Sequence, residues 1–243
     1  MIELTYLKYE VLRTWRNRRF LVFSLIFPLI LFLAIAGPHR NIRYEHVSFA
    51  LYYMTGMIAW GAMVSVISSG ARIAAERQVG WTRQLRITPL PTWSYFSAKI
   101  ITGYMMAIFT MIVLFAAGTS IGVRLDVTQW FVMVGLLVVG LVPFAVMGIM
   151  FGHLLKVDSL GPAIGGVTSL FALFGGSYGA LITGGFLFKI VKLIPSYWLV
   201  QAGRSAVHGG GWPAEAWIVI AAWSLVFGVL AVRVYQRDTQ RVT

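Results

Sequence analysis

The sequence predicts an all-α integral membrane fold. An amphipathic interfacial helix comes first, six transmembrane helices follow, a cytosolic helix separates the second and third, and short re-entrant helices precede the sixth. Three observations carry this. Of 243 residues, 58% are hydrophobic and 12% charged, about half the charged share of an average soluble domain. Six apolar runs approach the roughly 20 residues that cross a bilayer's hydrocarbon core. One polar, helix-capable stretch, residues 75–90, interrupts them.

The elements follow in order. Within residues 1–18, Leu4, Leu7, Val11 and Trp15 share one face of a helical wheel, with Glu3, Glu10, Arg13 and Asn17 opposite; such a helix ahead of a span belongs in the membrane interface. The spans are read at 20–37, 47–70, 100–122, 130–152, 160–182 and 216–232, none with an acid or base near its centre. Arg16 to Arg19, the apolar run and Ala34-Ile35-Ala36 imitate a secretory signal with a cleavage site. The basic region is long for that, and five more spans follow, so the first helix is read as retained. The fifth span is glycine-rich, and Gly161 and Gly165 have the small-residue spacing of close helix packing, within one subunit or between two.

An even number of spans puts both termini on one side. With them inside, the outer pieces hold Arg40, Arg43, Arg124, Lys189, Lys192 and Arg204, and the other 14 of the 20 Lys and Arg face the cytoplasm. Both termini are therefore expected to be cytoplasmic. The net charge of +12 is then a property of flanks facing the cytosol and anionic headgroups. Nucleic acid is not an expected partner, because no soluble portion is large enough to form such a domain.

Residues 71–99 form the large cytosolic loop. Trp81, Leu85 and Thr88 fall at near-helical spacing, Arg77, Arg83 and Arg86 supply solvated or partner-facing charge, and Pro89 and Pro91 end any helix. A rigid helix held between two spans is a lever: contact at its tip would tilt both.

The run Glu76-Arg77-Gln78-Val79-Gly80-Trp81-Thr82-Arg83-Gln84-Leu85-Arg86-Ile87-Thr88-Pro89-Leu90 resembles the signature loop of ABC-2-type transporter permeases: an acidic residue, a glycine, a leucine four to six residues on, then Thr-Pro-Leu. The resemblance covers the whole chain as a single transmembrane domain. It includes Ile194-Pro195-Ser196-Tyr197-Trp198 and Gln201-Ala202-Gly203-Arg204 before the last span. The chain departs from it at Trp81, where the family usually has Thr or another small residue.

The resemblance implies a coupling helix seated in a cleft of a separate ATPase subunit, present in two copies, beside a second permease subunit, identical or not. By position, Glu76, Gly80, Trp81, Leu85, Arg86, Thr88 and Pro89 would contact or shape that joint. Gly80 would relieve crowding, Leu85 would anchor in a pocket, and Glu76 could pair with a basic residue of the partner. ATP and Mg would sit on the partner, with no cofactor in this chain. A phosphate-binding loop needs a Lys after Gly, and no Gly-Lys dipeptide occurs.

At the outer end, residues 183–213 are too polar to span and too apolar for a free loop. Pro195 breaks an apolar run carrying Lys189 and Lys192, and Tyr197 and Trp198 follow as interfacial aromatics. They read as one or two short re-entrant helices, tolerated where protein or water satisfies their backbone. Arg204 and His208, one turn apart, could meet lipid headgroups or an anionic cargo group. Met105, Met106, Phe109, Met111 and Phe115 are candidates for a pathway lining or a lipid-facing surface.

The spans lack the midplane charge of an ion-coupled carrier. His39, His46, His153 and His208 have no metal-ligand spacing, and no motif assembles a nucleophilic triad. The expectation is a permease subunit, not itself an enzyme, exporting a hydrophobic or amphipathic drug-, antibiotic- or lipid-like compound through a bacterial plasma membrane. The alternatives are export of a lipid-linked envelope glycan, a membrane transferase built around Glu45 with His46 or Lys156 with Asp158, and a structural subunit that recruits a cytosolic partner.

Overall fold

A computed structural model describes residues 2–44, 47–179, 182, 184–207 and 210–240. Helix α1 (Ile2–Trp15) is followed by α2 (Arg18–Leu21), a π-helical turn over Val22–Ile26, and α3 (Phe27–Ala36). Pro28 has no N–H to give the Ser24 carbonyl four residues back. That carbonyl accepts from the Thr110 hydroxyl at 3.4 Å, so an irregularity written by one proline is met from another helix.

A two-residue antiparallel pairing, β1 (Arg43–Tyr44) with β2 (Val47–Ser48), is the one departure from all-helical structure among the described residues. Ser48 then caps α4 (Phe49–Ala71), its hydroxyl accepting from the Leu51 amide at 3.2 Å. Helix α4 is the buried axis of the molecule. It packs on α7 (Thr92–Ser120) and α9 (Val142–Leu154). Glycines make that approach possible: a Cβ on Gly70 would stand 2.5 Å from the Ile149 amide nitrogen, and one on Gly148 would stand 2.5 Å from the Ile67 carbonyl oxygen.

Between α4 and α7 lie the short α5 (Ile73–Gln78) and α6 (Trp81–Arg86). Helix α8 (Val127–Gly140) meets α9 at Leu141, just before Pro143. After α10 (Val157–Gly175) come α11 (Gly185–Val191), α12 (Pro195–Val207) and α13 (Ala214–Gln240). The region expected to hold one or two short helices before the last span contains α11 and α12.

Among the described residues, five helical stretches are long and apolar enough to cross a membrane: Phe49–Gln78, Thr92–Ser120, Val127–Leu154, Val157–Gly175 and Ala214–Asp238. The first expected span, 20–37, falls on the contiguous helical run of α2, the π-helical turn and α3 over residues 18–36, whose apolar part includes Ser24–Ala36. The fifth, expected to reach residue 182, stops at Gly175 because Gly176 turns left-handed at φ 78°. The Gly161 and Gly165 spacing serves no packing among the described residues: a Cβ at either position meets none of them within 4 Å.

Candidate functional site: an apolar tip on a buried ionic base

The stretch singled out in the sequence folds as an elbow. Helix α5 ends at Val79, and Gly80 takes φ 75°, a left-handed value that favours glycine. Among the described residues nothing lies within 4 Å of where its Cβ would be, so within this chain Gly80 sets the direction of the turn. The Gly80 carbonyl accepts from the amides of Arg83 and Gln84 and starts α6. At the far end the Thr88 hydroxyl donates to the Leu85 carbonyl at 2.7 Å, and Pro91 opens α7.

The tip is apolar. Ile87 is 87% exposed and Val79 73%, with Trp81 also exposed. Thr88 and Pro89 are exposed beside them, while Leu85 is half-buried. The side chain of Arg86 falls outside the described residues. Leu85 faces a cleft of about 510 Å³ between α1 and α6, whose walls include Tyr6, Tyr9, Trp81 and Leu90.

Beneath the tip the charges turn inward. Glu76 is fully buried. Its Oε1 accepts from Lys99 Nζ at 2.5 Å and from Arg13 Nη1 at 2.5 Å, and its Oε2 accepts from the Tyr95 hydroxyl at 2.6 Å. Lys99, also buried, donates to Glu10 Oε1 at 2.7 Å, and Arg72 Nη2 lies 3.4 Å from that same oxygen. Helices α1, α5 and α7 are thereby tied together at one point, which corrects the expectation that Glu76 pairs with a basic residue of a partner. A carboxylate removed from water needs cations at hydrogen-bond distance, and this chain provides them itself. Tyr6, at the edge of the cluster, has its hydroxyl pushed well above the ordinary tyrosine range, by burial first and by the Glu10 and Glu76 charges next, so it stays protonated.

Arg77 is corrected in the same way. It donates to the Gly152 and His153 carbonyls at 3.1 and 2.8 Å and pairs with Asp238, which also meets His153 Nδ1 at 3.0 Å. Its guanidinium therefore caps the C-terminal end of α9 and binds the elbow to α13.

The wheel for α1 placed Glu10 with the solvated charges, yet Glu10 and Thr14 are buried. Of the expected apolar stripe, Leu4 and Trp15 face outward and Leu7 and Val11 are half-buried. The wheel sends charge to water by default; here the ionic contacts with Lys99 and Arg72 turn the helix the other way. The signal available in the sequence was scarcity. The chain has only 8 acidic residues, and three of them, Glu10, Glu76 and Asp238, hold this end together.

The residues of the other expected site gather at the opposite end of α4. Pro195 opens α12 and is buried with Trp198, whose Nε1 donates to the Lys192 carbonyl at 2.8 Å. The Tyr197 hydroxyl accepts from Gln201 Nε2 at 2.9 Å. Arg204 lies 3.9 Å above the Tyr52 ring and donates to the Gly176 carbonyl at 2.9 Å. Tyr52, Lys192, Tyr197, Trp198, Gln201 and Arg204 line a cavity of about 650 Å³. His208, expected beside Arg204, lies outside the described residues, as do Glu45 and His46.

The candidate lining of Met and Phe does not form one surface. Met106 and Met111 are core, Met105 points outward, Phe109 meets the Trp15 ring edge-on, and Phe115 meets Trp130. Lys156 and Asp158 are both exposed.

Residues 38–233 match the family described as ABC-2 family transporter protein. A Bacillus subtilis (strain 168) protein described as "Putative transport permease YvfS" is 26% identical over 226 residues, covering 91% of this chain and 92% of the relative. The membrane domain of this family has no ATPase activity of its own and implies ATPase partner subunits. The match covers most of the chain, so the protein belongs to the ABC-2 family of transporter permeases.

Proposed function

We propose that this chain is the six-span permease subunit of an ATP-driven exporter in a bacterial plasma membrane, with both termini cytoplasmic. The helical run over residues 18–36 would supply the sixth crossing. Its cargo is hydrophobic or amphipathic, of drug-, antibiotic- or lipid-like kind. Two copies of a separate ATPase hold ATP and Mg, and two permease subunits frame the pathway. The observation that carries this reading is the elbow, where an apolar tip of Val79, Trp81 and Ile87 stands on a base whose charges are all engaged within the chain.

Such a part suits docking. The tip offers surface that water solvates poorly, and the base fixes that tip to four other helices. A push on α6 is then delivered through Glu76 to α7 and α1, and through Arg77 to α9 and α13. Alternating states of a permease need only a few kcal/mol of bias, which closure of ATPase subunits on ATP can provide.

Co-purification tests the proposal. A tagged wild-type chain should carry an ATPase out of native membranes, and Ile87→Asp should lose it while melting at the wild-type temperature. An ATPase held equally by both, or by neither, would overturn the reading.

A further inference from the structure

We infer that the outward face of α1 is a docking surface for the anionic headgroups of the bilayer, and that lipid held there acts on the elbow through the inward face of the same helix. The docking surface needs only a membrane-embedded chain; the effect on the elbow rests on the coupling proposed above.

The two faces of α1 divide its charges by sign. Inward, Glu10 meets Lys99 and Arg72, Glu3 accepts from the Ser94 hydroxyl at 2.8 Å, and Arg13 reaches Glu76. Both acids of the helix are thereby engaged by the protein. Outward, Leu4, Lys8, Leu12, Trp15 and Arg16 are exposed, with Val11 half-buried beside them. Positions three and four apart share one side of a helix, so these residues form one stripe. The Arg16 amide donates to the Leu12 carbonyl at 3.1 Å, which keeps Arg16 in helical phase one position beyond α1. The stripe carries two cations and no acid. Among the described residues neither Lys8 nor Arg16 has an ionic partner.

Such a stripe fits one class of surface. Leu4 is 74% exposed, and with Leu12 and Trp15 it offers apolar area that water solvates poorly. Lys8 lies between Leu4 and Leu12, and Arg16 follows Trp15. A helix on an anionic membrane is built this way: its apolar side chains enter the headgroup boundary while its long basic ones keep their charges among the phosphates.

Position favours lipid over a protein partner. Trp15 meets Phe109 edge-on, with ring centroids 4.6 Å apart. Phe109 belongs to the apolar length of α7, a helix long enough to span, whose Ile101, Met105, Ile108 and Ile112 are themselves exposed. Ser94, which Glu3 meets, lies in the first turn of that helix, just after Pro91. Helix α1 therefore runs from the polar end of α7 to its apolar stretch, and crosses the headgroup layer on the way. Because its inward face holds Lys99 and Glu76, a pull on α1 by headgroups is delivered to α7 and α5, the two helices that carry the elbow.

The chain has no cysteine of its own, so Leu12→Cys labelled with an environment-sensitive fluorophore reports on the stripe. The experiment uses the purified complex in nanodiscs of phosphatidylcholine with or without phosphatidylglycerol. A nitroxide-bearing lipid should quench the probe and aqueous acrylamide should not. Phosphatidylglycerol should raise the ratio of lipid-facing to water-facing probe, and Lys8→Gln and Arg16→Gln should each cut that gain about fivefold. Lys156→Gln removes an exposed charge between α9 and α10 and should leave the probe unchanged. Leu4→Cys supplies a second labelling position if Leu12→Cys folds poorly. ATP turnover by the wild-type complex should rise with phosphatidylglycerol, and the variant carrying both Lys8→Gln and Arg16→Gln should lose that rise.

A probe quenched by acrylamide in both lipids, or shielded from both quenchers as under a protein partner, would overturn the docking surface. So would equal insertion with and without phosphatidylglycerol, or a loss in Lys156→Gln as large as in Lys8→Gln. Insertion that follows phosphatidylglycerol while ATP turnover does not would overturn the link to the elbow. A preparation that carries no ATPase would sink the transporter reading, and the probe would still decide the surface.

Discussion

The ionic base of the elbow predicts an asymmetry that simple loss of contacts does not. Glu10 and Glu76 face three cations, Arg13, Arg72 and Lys99. Glu76→Gln leaves one carboxylate among three cations, with Lys99 fully buried between them. Lys99→Met leaves two carboxylates and two cations, in which Glu76 keeps Arg13 and Tyr95, and Glu10 keeps Arg72. Breaking a buried pair so that a charge is left uncompensated costs about 3–5 kcal/mol. The Arg13 side chain is about half exposed, so its share is discounted for solvent and Lys99 dominates. Glu76→Gln should therefore cost about 3–5 kcal/mol and Lys99→Met clearly less. For a chain of this length each kcal/mol moves the melting temperature by roughly 2–4 °C. Thermal melts of the detergent-purified protein should show Glu76→Gln lower by on the order of 10 °C, with Lys99→Met between it and wild type. Adding Lys99→Met to Glu76→Gln should recover part of the loss as positive coupling. A Glu76→Gln protein melting within about 2 °C of wild type, or one indistinguishable from the tip variant Arg83→Gln, would refute the reasoning.

Other consequences are more local. Gly80→Ala forces a side chain into left-handed backbone and should destabilise the elbow by about 1 kcal/mol or more, with Gly80→Asn milder; equal melts and equal ATPase coupling in both would contradict the turn's role. Gly148→Val would drive its Cβ against the Ile67 backbone, 2.5 Å away, and should abolish accumulation of folded protein, whereas Gly161→Val, with nothing within 4 Å among the described residues, should leave the monomer's fold intact. Asp238→Asn should loosen the elbow from α9 and α13, lowering coupled ATP turnover more than melting temperature; the reverse ranking would make the Arg77 to Asp238 pair merely structural.

The apolar elements were legible in sequence because hydropathy over 20 residues is a local quantity, and burial in protein or lipid selects for it alike. The elbow was legible because Pro89 and Pro91 punctuate it and because a polar run inside so apolar a chain needs a place outside the hydrocarbon. What was not legible depends on distance along the chain. Glu76 meets Lys99 across 23 positions, and Lys99 meets Glu10 across 89; no periodicity links them, and α1 turns its acid inward against the expectation from amphipathicity. The early stop of α10 depends on a single residue, Gly176, whose backbone consequence a hydropathy window averages away. The cavity at the far end of α4 was half visible: Tyr197, Trp198 and Arg204 were picked out by type, but Tyr52, which supports the guanidinium, is 152 residues from Arg204.

The central claim, that the tip of the elbow is where an ATPase docks, can be tested with single cysteines, because the chain contains none of its own. Ile87→Cys places a thiol on the exposed tip, and Phe186→Cys places one on exposed α11 at the other end of the molecule. Treated with a short bifunctional reagent in native membranes, the residue 87 variant should yield an adduct with the ATPase, enhanced when ATP closes the subunits, and the residue 186 variant none. An ATPase adduct at 186, or its absence at 87 in a complex that still hydrolyses ATP, would contradict the account.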